Sequence, residues 1–255
     1  MIINSKKLTK TQKEEAVHKL FEDSAPCYDF YLMLILSGMI ITFGLLLNNI
    51  PVIIGGMMVA PILSPILSMS MGIIVSDFKL MKRSAQVIFN SVVLIVVISF
   101  FSSLLAVSRD LNQEIVSRAF PNFYYLLIAI FSGVAVSYAI VRPQMSETLP
   151  GVAVTVALIP PLASVGIALS LLEWNVVIGS LGLFVINLAG IIFASIIVFA
   201  LLNFYEVKKA IEKKINSEEK VISKTLEQRE AENLKELSKK VNQAKKIIDK
   251  KKKRL

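Results

Sequence analysis

The sequence predicts an all-α integral membrane protein. Six transmembrane helices form two inverted three-helix repeats with broken second and fifth helices, and a charged C-terminal helix or coiled coil follows. Three observations predict this. First, 55% of the 255 residues are hydrophobic and mean hydropathy is +0.66, too apolar for an ordinary soluble domain. Second, the apolar residues come in long blocks without alternation. About 20 such residues span a bilayer core as a helix. In lipid only helices and closed barrels pair every backbone group, and a period of two, which a barrel strand needs, is absent. Third, part of the sequence repeats at an offset of 95 residues.

The elements follow in order. Residues 1–27 are polar and hold five lysines; they read as a cytoplasmic arm and not as a signal peptide. Six apolar segments follow at about 28–47, 50–75, 84–107, 122–141, 149–172 and 175–202. Tyr28, Tyr31, Tyr124, Tyr125, Trp174, Phe204 and Tyr205 lie near their ends, as an interfacial aromatic belt requires. Asp29 is placed to cap the first span, and Asp77 and Glu173 read as interfacial charges at helix ends. Lys79, Lys82, Arg83, Arg142 and seventeen Lys plus Arg in 203–255 join the N-terminal lysines on one side. Only Arg109 and Arg118 fall on the other. Positive residues mark the cytoplasmic face, so the expected location is the cell membrane, multi-pass, with both termini inside.

The repeat lays Leu32–Gly38 over Leu127–Gly133. It also lays Gly56, Val59, Leu63, Pro65 and Leu67 over Gly151, Val154, Leu158, Pro160 and Leu162. Residues 28–107 and 122–202 are the two repeats. The third segment of each matches in position and scarcely in identity, with Asn90 and Asn187 two residues off register. Each repeat crosses three times, so the second copy is inverted, as in many secondary transporters. Residues 203–255 lack Gly and Pro, and their charges alternate in sign. Leu234, Leu237, Val241, Ala244 and Ile248 make a coiled-coil seam, from which a homo-oligomer is expected.

Chemistry concentrates at the helix breakers. Each proline removes an amide donor and disrupts the bond to the carbonyl four residues earlier. Pro61 frees the carbonyl of Met57 and Pro65 that of Pro61; Pro160 and Pro161 free Val156 and Ala157. An unpaired carbonyl in hydrocarbon is costly, so a hydroxyl, a neighbouring helix, water or a solute must meet it. The candidate solute pathway comprises Gly55, Gly56, Pro61, Ser64, Pro65, Ser68 and Asn90 in the first half, and Gly151, Thr155, Pro160, Pro161, Ser164 and Asn187 in the second. Arg142 and Glu147, in RPQMSETLPG, are placed to pair as a gate, although a basic surface loop is the simpler reading. Paired Pro-broken segments point to a transport site; a packing role is the bland alternative. No Asp, Glu, Lys, Arg or His lies near the middle of any segment, which argues against a proton relay.

The expected function is a membrane transporter or channel for a small solute or ion, on which Pro65→Ala and Ser68→Ala impair flux. The alternative is a membrane-anchored scaffold whose coil recruits a cytoplasmic partner; deleting 206–255 discriminates the two. An enzyme is not expected, for want of a base or metal ligand, nor are a cofactor or a nucleic-acid partner. The lipid bilayer and the solute are the other expected partners.

The runs IGGMMVAPILSPILSMSMG and RPQMSETLPGVAVTVALIPPLASVGIAL resemble the signature pair of the prokaryotic "uncharacterised hydrophobic domain" proteins, the domain of unknown function 389. The resemblance covers roughly residues 28–202. It implies an integral membrane core and adds no substrate or catalytic residue; the coil lies outside it.

Overall fold

The structure is a computed structural model that describes residues 10–23, 27–106, 110–142 and 158–207. The described residues are helical apart from short connections. The helices are α1 (Lys10–Asp23), α2 (Tyr28–Leu46), α3 (Ile50–Val59), α4 (Leu63–Val75), α5 (Phe78–Leu104), α6 (Gln113–Val116), α7 (Phe123–Ile140), α8 (Ile159–Ser170) and α9 (Trp174–Leu201). Short 3-10 turns follow at Ser117–Ala119 and Phe204–Val207.

Four helices, α2, α5, α7 and α9, are each long and apolar enough to cross a bilayer. Helices α3 and α4 make a fifth crossing if taken together, bent by 53°. The bend falls at residues 60–62, where Pro61 interrupts the ladder. Thus 50–75 is one apolar segment and two helices. The expected segment 149–172 is described only as α8, whose 12 residues reach about 18 Å. The coil at 203–255 lies outside the described residues beyond Val207.

Helix caps follow from local chemistry. Asn49, Asp77 and Asn112 each accept an amide bond at the start of α3, α5 and α6, the usual use of short polar side chains there. Asp29 is not a cap: Cys27 holds that position in α2, and Asp29 sits within the first turn.

The packing pairs α2 with α5, and α7 with α9. It also crosses over, α5 packing on α8 and α9 on α4. Equivalent bonds hold the two pairs. Thr42 Oγ1 lies 2.6 Å from Gly38 O and 2.9 Å from Ser99 Oγ. Ser137 Oγ lies 2.6 Å from Gly133 O and 2.7 Å from Ser195 Oγ. Each hydroxyl bonds its own helix four residues back and also a serine of the neighbouring helix. Replacing Ser137 by Ala is expected to cost about 0.5–2 kcal/mol. A double-mutant cycle with Ser195→Ala, read by thermal unfolding in detergent, should recover a coupling of about 0.6 kcal/mol. Zero coupling would remove the bond from the account of this packing.

The turn that joins α4 to α5 recurs between α8 and α9. Ser76 and Leu172 are both left-handed, at φ 53° and 59°. Asp77 N–H donates to Gly72 O at 2.9 Å, and Glu173 N–H to Ala168 O at 3.0 Å. These positions are 96 apart, one more than in the first two segments of the sequence alignment.

The polar N-terminal arm also has a packed place. Helix α1 buries Ala16, Val17 and Leu20 against α4 and the 204–207 turn. Lys13 donates to Asn203 O at 3.2 Å and stands 5.8 Å from the Phe204 ring centroid. Phe204, expected in the interfacial belt, is fully buried, whereas Tyr28, Tyr124, Trp174 and Tyr205 are exposed.

Candidate functional site

Around the first break, Ala60 N–H turns to Met57 O at 3.4 Å, so Gly56 O loses its helical donor. The Ser37 hydroxyl of α2 donates to Gly56 O at 2.8 Å. The carbonyls displaced at Pro61 are therefore met by a neighbouring helix and by a tightened turn. Ser37 was not among the residues expected to serve the break.

Beyond the break, α4 starts at Leu63 with no side-chain cap. Helix α8 starts the same way at Ile159, with Pro160 and Pro161 in its first turn. Neither helix is long enough to cross a bilayer alone. Helix starts carry unpaired N–H groups and a partial positive charge.

The expected pathway residues divide. Pro65, Ser68, Pro160, Pro161, Ser164 and Asn187 are buried, and Pro61 and Ser64 are half-buried. Ile62 and Ile66 beyond the first break share one apolar cluster with Leu158, Ile159 and Leu162 at the start of α8. Helices α4 and α8 pack little on each other; both pack on α5 and on α9, so the two breaks belong to one extended apolar core. The Ser68 hydroxyl is committed to Leu20 O of α1 at 2.5 Å. Asn90 is exposed on α5, outside this core. Gly151, Thr155 and Glu147 lie outside the described residues. Arg142, Glu147's expected gate partner, stacks over the Tyr138 ring at 4.9 Å.

The adjacent glycines take opposite roles. A Cβ on Gly55 would meet nothing within 4 Å, whereas one on Gly56 would lie 2.5 Å from Ile41 Cγ1 and 3.2 Å from Ile41 N. Gly55→Leu should leave thermal stability and any flux unchanged. Gly56→Leu should destabilise by about 1–3 kcal/mol, measured by unfolding in detergent; equal effects of the two would refute the close approach of α2 and α3.

A polar ladder emerges that sequence alignment at 95 residues misses. Ser84, Ser91 and Ser99 on α5 are all buried, as are Ser180, Asn187 and Ser195 on α9. Each pair is 96 apart. Asn187 thus corresponds to Ser91, not to Asn90. The signal was present as Ser-x6-Ser-x7-Ser against Ser-x6-Asn-x7-Ser. The hydroxyls of Ser84, Ser164 and Ser180 have no hydrogen-bond partner among the described residues. Leaving such a group unmet costs about 1–3 kcal/mol.

Among the described residues no group of acidic, His or Cys side chains is placed to hold a metal ion.

The helices define a class: a protein of several apolar helices, of the kind that makes multiple membrane crossings. The family described as "Domain of unknown function (DUF389)" matches residues 57–193, more than half of the chain, and the chain belongs to that family. The uncharacterized protein MJ0678 of Methanocaldococcus jannaschii is 31% identical over 170 residues, 66% of this chain and 52% of that protein. The chain therefore spans about half the length of that relative. No solved structure matches it.

Proposed function

We propose that this protein is a transporter or channel for a small solute or ion, its pathway running past the starts of α4 and α8, which share α5 and α9 as packing neighbours. One observation carries the reading. Two helices too short to span a bilayer start at Leu63 and Ile159, 96 residues apart and each with proline in its first turn; on this reading both starts lie within the apolar layer. The recurring turn, the matching Thr42 and Ser137 bonds and the polar ladder support an internal repeat. On this reading the repeat is inverted, the crossings number six, and both termini face the cytoplasm of a cell-membrane protein. The unmet hydroxyls of Ser84, Ser164 and Ser180 are stepping points, and the path opens by movement of α8 against α5.

The test is efflux from proteoliposomes loaded with nitrate, potassium or glycerol. Nitrate is the first probe, because both helix starts carry partial positive charge. Flux of one probe above protein-free liposomes is expected. Absence of flux for all three, from monodisperse protein, would overturn the reading and favour the membrane-anchored scaffold.

A further inference from the structure

We infer that α5 is the homodimer interface of this protein, with Asn90 of one copy bonded to Asn90 of a second. Helix α5 exposes a stripe of Gln86, Asn90, Val93, Val97, Phe101 and Leu104. Their spacing of three and four is that of a helix–helix seam. Neither carboxamide has a hydrogen-bond partner among the described residues. Asn90 stands seven residues beyond Arg83, the last charge at that end of α5, which places it about 10 Å along the axis and within the hydrocarbon. Asn is too short to bring its amide back to the interface from there.

The corresponding face of α9 provides a contrast. Its exposed positions from Ile178 to Ile197, namely Ile178, Leu181, Val185, Ala189, Phe193 and Ile197, are all apolar and suit lipid; the exposed carboxamide of α9, Asn175, lies in its first turn, next to Glu173 at the helix end. The two exposed faces thus differ in where the carboxamide lies: in the first turn of α9, but well inside the span of α5. Polar side chains in membrane helices pair with one another across helix interfaces. A carboxamide is both donor and acceptor, so it is complementary to itself. A two-fold axis along the membrane normal sets two α5 helices parallel and opposes the same residue on each, an isologous contact. Asn90 then donates to and accepts from its counterpart, while Val93, Val97 and Phe101 pack beside it. This surface is the exposed face of α5, distinct from the face that packs on α4 and α8, so it stands or falls independently of transport.

The test uses the full chain in liposomes. Cys27 is its single cysteine, so Cys27→Ser gives a clean background. Asn90→Cys and Val97→Cys should form cross-linked dimers under mild oxidation, and Val185→Cys on α9 should not. In a separate measurement, Asn90→Leu should lower the dimerisation constant, read by fluorescence energy transfer on lipid dilution, by roughly 3- to 30-fold. That is the range one interhelical amide bond supplies. The substitution places an apolar side chain on an exposed face, so a folded protein is expected. Cross-linking at 90 and 97 together with this weakening supports the proposal. A monomer at every dilution, cross-linking at 185 alone, or an unchanged constant in Asn90→Leu overturns it.

Discussion

Gly166→Leu is expected to lower the melting temperature by about 5–10 °C, the shift that a loss of about 3 kcal/mol produces in a chain of this size. Gly166 is buried in α8, where α8 lies directly on α5. A Cβ there would stand 2.6 Å from both Ser99 Cβ and Val96 O, and 2.8 Å from Phe100 N. Two of those atoms belong to the α5 backbone and cannot swing aside as a side-chain tip does. The helices must part, and overpacking of this kind costs about 1–3 kcal/mol or more. Moving Ser99 also strains its contact with Thr42. Thermal unfolding in detergent, with Gly55→Leu as the control, measures the effect. A shift below about 2 °C would show that α5 and α8 do not approach this closely.

Restoring the amides at the first break should have the opposite effect on stability and the larger effect on function. In Pro61→Ala/Pro65→Ala, residue 61 regains a donor for Met57 O and residue 65 one for the carbonyl at 61. Proline within a helix costs about 3 kcal/mol relative to alanine, so the double variant favours one continuous helix over 50–75. The helix start at Leu63 would then disappear. Melting temperature is expected to hold or rise, while probe efflux falls at least tenfold. Efflux at the native level from a stable double variant would separate the break from transport. Ser68→Ala tests something else: its hydroxyl serves Leu20 O, so it should loosen α1 against α4, read as faster proteolysis near residues 10–23.

The location of the helices was legible in the sequence for local reasons. Segment 122–141 became Phe123–Ile140 and segment 175–202 became Trp174–Leu201, because the length of an apolar run is a property of that run. The α5 start was misplaced by six residues, since Lys79, Lys82 and Arg83 were excluded as charged. They form the first turns, and Asp77 caps them. Asn90 and Asn187 looked equivalent because amides are conspicuous in apolar sequence. Their faces differ: Asn187 points into the bundle and Asn90 out of it. One residue decides which side of a helix is seen, and the alignment register had slipped by one between the halves.

What the sequence determined by itself was the set of apolar helices and the place where one of them breaks. Both depend on short-range causes: the extent of a hydrophobic run, and the proline ring that removes an amide donor at residue 61. The tertiary structure alone decided which residues serve the break. It assigned Ser37 to Gly56 O and Ser68 to Leu20 O, turned Gly55 outward and Gly56 into α2, and aligned the serine ladders of α5 and α9. A hydroxyl bonds whichever carbonyl a neighbouring helix brings within about 3 Å, and that neighbour is set by packing between segments far apart in the chain.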